Sequence, residues 1–391
     1  MQILTVDIGT GTQDICLHNT RLDPENGFKL ILPSPTMMVH RRIRAATQKR
    51  HTLILDGVTM GGGPCQWAAQ EHIRAGLPIF ATPDAARTFN DELEKVERLG
   101  IRIVSENEAQ QLTRTSSSAD STTRIRLADF DLDSILQTFQ HFHIPLDDLA
   151  AIAVAVFDHG NAPAGISDRQ FRFDYLDERL RISNRLSTFA FLASDIPASM
   201  TRLQAVAASA RSLPAPLIVM DTAPAAILGA IFDPVVAARP CKIIANIGNF
   251  HCLAFRLGQN SQVEGLFEHH TGEVTRPKLE TYLRALAAGT LTHTDIFNDM
   301  GHGALVYRQT PLELDPASWQ VAVTGPRRSL LTDSATAQPS SLKHYSATPF
   351  GDMMLSGNFG MLAATADLLP NLGDEIRASL GHARGIAPWD V

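Results

Sequence analysis

The sequence predicts an α/β protein with two related halves, and three observations lead to this prediction. Apolar runs rich in Ile, Val and Leu alternate along the chain with segments of helical period. A strand, a turn of glycine and small polar residues and another strand occur at residues 2–18 and recur at 242–257. With 391 residues, 44% hydrophobic content and 19% charged residues, the chain has enough apolar material for two cored domains.

The first half opens with a hairpin. Strands at Gln2–Val6 and Ile15–His18 flank a Gly/Thr turn, and Leu30–Leu32 is predicted as a third antiparallel strand. Strands and helices then alternate from 51 to 105, which predicts a small α/β insertion at about 50–112. Residues 113–124 are polar and are predicted as an exposed loop. The elements that follow are a helix at 132–143, a buried strand at 149–160, a polar and helical region to about 211, and a strand, turn and helix at 215–233.

The second half repeats the opening pattern. Residues 242–257 again form a strand, a small-residue turn and a strand, with Asn246 in the place of Asp7. The elements predicted after it are a strand at 263–272, a helix at 276–291, a strand and turn at 320–331, and a terminal helix at 351–369. The predicted domains are therefore residues 1–230 and 240–391, with the terminal helix packing back across the hinge between them.

Composition and cysteine spacing exclude several classes of function. A net charge of -7 argues against a nucleic-acid partner. No stretch approaches the about 20 apolar residues that span a bilayer, and the N-terminus enters a strand directly, so a cytoplasmic protein without a membrane partner is expected. Cys16, Cys65, Cys241 and Cys252 form no CxxC or CxxxCxxC pattern, which argues against a zinc knuckle or a cysteine-ligated iron-sulfur cluster.

Five motifs in order resemble those of the actin/Hsp70/sugar-kinase superfamily. They are DIGTGTQDICL, APAAILGAI, NIGNFHCLAFRL, AVTGPRRSL and GDMMLSGNFGMLAA. The resemblance implies two duplicated ribonuclease H-like (actin-like ATPase) domains with ATP and magnesium in the cleft between them. The first and third motifs would then meet the phosphates, the fourth the adenosine, and the other two would be connecting helices. More closely, TMGGGP, FDHG, FEHHTG and NDMGHGA resemble a family labelled "putative pyruvate formate-lyase activating protein".

The first turn has the chemistry of a phosphate site. Gly9 and Gly11 let the backbone N–H groups approach phosphate oxygens closely, and the hydroxyls of Thr10 and Thr12 add donors. Asp7 ends the preceding strand and is predicted to hold Mg²⁺ through water, because this ion bridges one or two carboxylates to phosphates.

The corresponding residues of the second half differ in charge. Asn246 cannot supply a negative charge to a metal, although its amide can bind a phosphate or a water molecule. Gly248 and Asn249 form the second predicted phosphate turn. Gly325 and Arg327 are assigned to the adenosine turn, with Arg327 either stacking on the base, pairing with an anion or remaining a solvated charge.

Two aspartates are candidate catalytic residues. Asp221 and Asp158 each end a strongly apolar run, where a carboxylate opens into the cleft of an α/β protein. In the superfamily that the chain resembles, an acidic or amide residue near this place orients water or accepts a hydroxyl proton. The alternative for both is a structural role in a turn or as the N-cap of a helix.

Histidines beside glycines give a second, independent signal. His159, His251, His269, His270 and His302 all lie near predicted turns at strand ends. If the fold brings them together they could form a transition-metal site, with His251, His270 and His302 as the predicted ligands. His159 and His251 are also assigned to substrate binding. Surface or core histidines without a ligand are the alternative.

Three glycines suggest where an acidic substrate binds. Gly61, Gly62 and Gly63 precede Pro64 at the predicted start of a helix, where free N–H groups can bind an anion. A tight turn without a ligand is the alternative.

Three functions fit these predictions. The first is an ATP-binding enzyme that couples phosphoryl transfer or ATP hydrolysis to a small acidic substrate. The second is a histidine-assisted hydrolase or group-transfer enzyme, with or without a metal, that has lost nucleotide binding. The third is a non-enzymatic, nucleotide-dependent activator of a protein partner.

Overall fold

The structure is a computed structural model that describes residues 1–115, 122–146, 148–210, 215–332, 342–381 and 385–390. The loop predicted at 113–124 lies partly outside these residues. Its described ends are not loop, because residues 113–115 finish a helix and residues 122–124 begin a strand.

The described chain folds into strands and helices that alternate for most of its length. The strands are β1 (Gln2–Ile8), β2 (Thr12–Asn19), β3 (Phe28–Pro33), β4 (Thr52–Gly57), β5 (Ile79–Ala81), β6 (Ile101–Ile103), β7 (Thr122–Leu127), β8 (Leu149–Val156), β9 (Ala190–Leu192), β10 (Leu217–Asp221), β11 (Lys242–Ile247), β12 (His251–Leu257), β13 (Val263–His270), β14 (Gly303–Val306), β15 (Val321–Thr324) and β16 (His344–Ser346). The helices are α1 (Pro35–Gln48), α2 (Gly63–Arg74), α3 (Pro83–Ala86), α4 (Leu93–Arg98), α5 (Glu106–Thr115), α6 (Leu132–His141), α7 (Asp168–Ile182), α8 (Thr201–Ser209), α9 (Thr222–Ala230), α10 (Pro234–Ala237), α11 (Arg276–Ala288), α12 (His293–Phe297), α13 (Ser329–Thr332), α14 (Ser356–Leu368) and α15 (Pro370–Leu380). Short 3-10 turns lie at Pro24–Asn26, Leu186–Phe189, Gln259–Ser261, Thr271–Glu273, Pro349–Gly351 and Pro388–Asp390.

Two six-stranded sheets have the same core arrangement. The first has the order β3-β2-β1-β8-β10-β9, and the second has the order β14-β13-β12-β11-β15-β16. In each, three antiparallel strands at one side continue into two parallel strands, because β1 pairs in parallel with β8 as β11 does with β15. The sheets differ at their edges, where β9 is added to the first and β14 to the second. The α/β prediction is confirmed.

Strand β8 shows how the sequence shapes the first sheet. Its large residues, among them Val154, face one buried cluster, whereas the alternating alanines, among them Ala153, face another. Successive side chains of a strand point to opposite faces of the sheet. The alanine face packs in the cluster that contains Phe359 and Leu362 of α14, so the small side chains leave room for that helix.

The helices α9 and α14 cross with their backbones in contact. A Cβ atom on Gly229 would lie 1.6 Å from the carbonyl oxygen of Ser356, and one on Gly360 would lie 1.9 Å from that of Ala225. Glycine is therefore required at this crossing. The helix predicted at the end of the chain is α14, and α15 follows it.

A third sheet, with the order β6-β5-β4-β7, forms the insertion. It extends past the predicted limit of residue 112, because β7 supplies its fourth strand. Between β5 and β6 the chain forms two short helices, α3 and α4, and between them the Asn90 side chain accepts the Glu92 N–H over 3.0 Å and favours a turn. Helix α1 was not predicted, although Ser34 caps it by accepting the Met37 N–H. None of the described helices has the length and apolar character that crossing a bilayer requires.

Candidate functional site

The β1–β2 and β11–β12 hairpins have turns of the same construction. In the first turn the Gly9 N–H donates to the Thr12 carbonyl over 2.9 Å, and in the second the Gly248 N–H donates to the His251 carbonyl, also over 2.9 Å. Each turn has two residues between the bonded pair. By this equivalence Asp7 corresponds to Asn246, as predicted from the sequence.

The two turns meet at one cavity. A Cβ atom on Gly11 would lie 2.5 Å from Nδ2 of Asn249, so the turns touch each other. The cavity beside them has a volume of about 120 Å³. The predicted cofactor residues that line it are Asp7, Gly9, Thr10, Gly11, Thr12, Asn246, Gly248, Asn249 and Gly325.

Two carboxylates stand side by side at this cavity. Asp7 and Asp14 are opposite each other in the β1–β2 pair and are 8% and 7% exposed. The Thr222 hydroxyl donates to Oδ1 of Asp7 over 2.6 Å, whereas Oδ1 of Asp14 has no hydrogen-bond partner among the described residues. Burial raises the pKa of Asp7 to about 6, and burial together with the Asp7 charge raises the pKa of Asp14 to about 8. A bound cation would stabilise both carboxylates in their charged form and so lower both pKa values.

Sequence reasoning missed Asp14. The signal was available, because a hairpin whose turn follows Asp7 places the residue seven positions later opposite it. The second hairpin carries no such pair of carboxylates, because Asn246 is opposite Leu253 there.

The predicted adenosine turn adjoins the same cavity at the end of β15. Gly325 has a φ of +96°, and a Cβ atom there would lie 2.4 Å from Oδ1 of Asn246, so glycine is required for this close approach. The backbone N–H of Arg327 donates to the Ile247 carbonyl over 2.9 Å. Its side chain is exposed and does not line the cavity, which fits the solvated alternative.

A second cavity of about 370 Å³ adjoins the first. Gly61, Gly62 and Gly63 line it at the start of α2, together with the predicted substrate residues His159 and His251. The two cavities are neighbours and share five lining residues: Thr10, Phe157, Arg202, Phe250 and His251.

Arg202 is held rigidly between the cavities. Its guanidinium donates to both oxygens of Asp129, over 2.6 and 2.9 Å, and to the Phe157 carbonyl over 2.7 Å. Asp129 also accepts the Gly61 N–H over 3.2 Å. The same carboxylate therefore positions the arginine and the glycine turn at the second cavity.

The two candidate catalytic aspartates are fully engaged with the protein. Oδ2 of Asp158 accepts the backbone N–H groups of Arg202 and Leu203, each over 2.9 Å, and Oδ1 accepts that of Gly160 over 2.8 Å. Asp158 lines the second cavity.

Asp221 caps α9 by accepting the Ala223 N–H over 3.0 Å and forms a buried ion pair with Arg172. It lines neither of these cavities. The structure thus gives both Asp158 and Asp221 the structural contacts that were the alternative to catalysis, and their catalytic roles stay predictions.

Four of the histidines come together at the edge of the second cavity. One potential ligand atom from each of His159, His251 and His302 lies within 4.8 Å of the others. The ring of His270 is 4.6 Å from that of His302 and 5.3 Å from that of His251, centre to centre. His270, which was predicted as the third ligand, lies beside this group, and His159 completes the group in its place. His269 instead contacts Asp299 over 3.3 Å.

Glu268 and Arg172 link these histidines to the first sheet, and neither was among the predicted site residues. Both are almost completely buried. Arg172 donates to Oε2 of Glu268 over 3.0 and 3.2 Å, pairs with Asp221 and donates to the Asp158 carbonyl over 2.9 Å. Burial alone would raise the pKa of Glu268, but Arg172 and the imidazoles hold it well below its usual range.

Comparisons with known proteins give one family and a set of remote solved structures. A family model described as "Putative pyruvate format-lyase activating enzyme (DUF1786)" matches residues 60–330. Among curated proteins, none is detectably similar to the chain. A ROK family transcriptional regulator, described as a homolog of the E. coli MLC protein, is 10% identical with a TM-score of 0.26, and the match covers 67% of this chain and 37% of that one. An exopolyphosphatase-like protein is 11% identical with a TM-score of 0.24, and the match covers 76% of this chain and 57% of that one.

Proposed function

The chain belongs to the family whose model matches residues 60–330, and we propose that it is an ATP-binding enzyme that couples phosphoryl transfer or ATP hydrolysis to a small acidic substrate. One observation carries the proposal: two equivalent glycine turns meet at one cavity, and a second cavity adjoins it. We also infer that the two similar sheets are the cores of two duplicated ribonuclease H-like domains, residues 1–230 and 240–391.

The first cavity suits the nucleotide. Its two glycine turns offer backbone N–H groups to phosphate oxygens, and Thr10 and Thr12 add hydroxyl donors. Asp7 and Asp14 would hold Mg²⁺, which would neutralise phosphate charge. The unpartnered oxygen of Asp14 supports this assignment, because it is buried with no other group to balance it.

The second cavity suits the acidic substrate. Helix α2 is 12 residues long, and its N-terminus at Gly63 leaves N–H groups without intrahelical partners. Arg202 and Arg87 line it together with Asp91, Asp158 and Asp168, and Arg202 is paired with Asp129. Because the cavities share Thr10 and His251, a substrate bound here would lie next to the terminal phosphate of a nucleotide in the first cavity.

Nucleotide entry requires the turns to separate. Ligand pockets commonly measure about 300–1,000 Å³, and the first cavity measures about 120 Å³. Trp67 of the insertion stacks on Phe250 of the second turn with 5.7 Å between ring centres. This contact would break as the cleft opens, so the insertion and the second turn close the site together.

Calorimetry with a non-hydrolysable ATP analogue tests the proposal. We expect binding that depends on Mg²⁺ and that weakens by about 10- to 100-fold in Asp7→Asn. The substitution removes one negative charge from the metal site but keeps an oxygen that accepts the hydrogen bond of the Thr222 hydroxyl. The exposed Asp195→Asn variant is the matched control and should bind like the wild type.

Three outcomes separate the candidate functions. Phosphate release or transfer to an added acid supports the enzyme. Nucleotide binding without turnover over a panel of acids favours the non-enzymatic activator. No binding of the wild type at millimolar analogue and Mg²⁺ overturns the proposal and leaves the histidine-based enzyme.

A further inference from the structure

We propose that His159, His251 and His302 bind one divalent transition-metal ion of the zinc type at the edge of the second cavity. The proposal does not rest on nucleotide binding. It rests on the convergence of three imidazoles from distant parts of the chain and on buried polar atoms there that lack hydrogen bonds among the described residues.

The three ligands come from three separate elements. His159 follows β8, His251 begins β12, and His302 immediately precedes β14. Their potential ligand atoms lie within 4.8 Å of one another. Tetrahedral bonds of about 2.1 Å would place them about 3.4 Å apart, so side-chain rotations that move atoms by about 1 Å would complete the site. In the part of the chain that the structure describes, this is the one group of three or more His, Cys, Asp or Glu residues with such geometry.

Several buried atoms at this place lack hydrogen bonds. His302 is fully buried, and neither of its ring nitrogens has a hydrogen bond among the described residues. Nδ1 of His251 and Oε1 of Glu268 also lack hydrogen bonds there, although both Nδ1 atoms lie 3.4 Å from this oxygen. Buried polar atoms are rarely left unpaired, so Nε2 of His302, which has no such neighbour, points to a ligand at this place.

Glu268 is placed to orient two of the ligands. Its Oε1 lies 3.4 Å from Nδ1 of His251 and 3.4 Å from Nδ1 of His302. A metal-binding histidine commonly donates its second N–H to a carboxylate, which fixes the tautomer. Small ring rotations would make both Nδ1–H groups donors to Glu268, and both Nε2 atoms would then be free to bind the metal. Arg172 holds the other oxygen of the carboxylate with a hydrogen bond of 3.0 Å.

The donor set selects the metal. Neutral imidazole suits zinc and its first-row neighbours, whereas Mg²⁺ and Ca²⁺ prefer oxygen. Since His159 and His251 line the second cavity, a fourth coordination position would face the substrate.

Metal titration of the full chain tests this site. After chelator treatment and dialysis, we expect about one Zn²⁺ or Co²⁺ per chain at micromolar concentration, with the visible absorption of tetrahedral Co²⁺. His251→Ala and His302→Ala should each weaken binding by about 100-fold or more, and Glu268→Gln by about 10- to 100-fold as an orienting residue. The exposed His141→Ala variant is the control for adventitious binding and should keep the stoichiometry.

Two results would overturn the metal site. One is a wild type that takes up no Zn²⁺ or Co²⁺ at micromolar concentration. The other is a stoichiometry that survives in both His251→Ala and His302→Ala, shown to be folded by circular dichroism. The wild-type titration decides the matter even if the variants do not fold. ATP-analogue binding is measured on the same samples, so that failure of the metal site and failure of the nucleotide proposal appear separately.

Discussion

The two hairpins at the cleft share a backbone and differ in chemistry. Both close their turns with the same N–H to carbonyl bond of 2.9 Å. The first carries Asp7 and Asp14 side by side, whereas the equivalent pair of the second is Asn246 and Leu253. The second instead carries His251 directly after its turn, and His270 of the neighbouring strand β13 lies opposite it.

This difference separates two kinds of ligand chemistry within one cleft. Carboxylate oxygens on the first hairpin are suited to Mg²⁺, whereas the imidazole of His251 on the second, with those of His159 and His302 from other elements, is suited to zinc-type metals. The carboxylates line the first cavity, His159 lines the second, and His251 lines both. Equivalent backbones thus place unlike functional groups on the two sides of the same site. Three predictions sharpen or break this comparison.

The largest effect is expected where one side chain joins the two halves. Arg172 pairs with Asp221 of the first sheet and Glu268 of the second, all three being almost completely buried. Arg172→Met would leave two buried carboxylates without a partner, so the free energy of unfolding should fall by about 3–5 kcal/mol. Urea unfolding measures this loss.

The control for this variant lies on the same helix. Arg181 forms an exposed i,i+4 pair with Asp177, and Arg181→Met should change the unfolding free energy by less than about 0.5 kcal/mol. Equal effects of the two variants would show that the buried network does not hold the halves together.

A second prediction compares two buried histidines, His18 and His302. His18 in β2 is 1% exposed and its Nε2 contacts the Ser379 hydroxyl over 2.9 Å, whereas Nε2 of His302 has no hydrogen bond among the described residues. Burial lowers the pKa of His18 to about 4 from a model-peptide value of 6.5. The unfolded imidazole gains a proton as the pH falls below 6.5, whereas the folded one does not until about pH 4, so stability is lost in this window.

Unfolding at pH 7 and pH 5 measures this contribution. His18→Gln should lose about 2 kcal/mol less than the wild type between these two values, because one proton-linked group is removed. The exposed His141→Gln variant should retain the wild-type slope. A slope that does not change in His18→Gln would assign the acid sensitivity to other groups.

The smallest effect distinguishes the backbones of the two turns. A Cβ atom on Gly248 would lie 2.9 Å from the His251 carbonyl oxygen, whereas one on Gly9 would lie 3.5 Å from the Thr12 oxygen. Gly248→Ala should therefore destabilise by about 1 kcal/mol through overpacking. Gly9→Ala should be neutral or slightly stabilising. Thermal unfolding of the pair shows whether the turns are as alike as their hydrogen bonds indicate, and an equal shift in both would contradict the difference.

Sequence patterns predicted the strands and turns of the cleft well. The alternation of Ala with Ile and Val in β8, and the glycine turns after Asp7 and Asn246, lie where they were expected. The resemblance to the family was confirmed by the match over residues 60–330. The sheet of the insertion extends past the predicted upper limit of residue 112, because β7 pairs with β4. This pairing joins residues about 70 apart, and no local pattern records it.

Local sequence alone therefore determined the elements and the glycine positions, because backbone conformation and strand burial depend on neighbouring residues. It also placed candidate groups at the ends of strands. Which of these groups meet was decided by tertiary structure. The contacts that bring His159, His251 and His302 together, and that pair Asp221 with Arg172, span between 49 and 143 residues of chain. Hydrogen bonding and charge pairing act through space, so the partners of a buried polar group follow from the packing of the sheets.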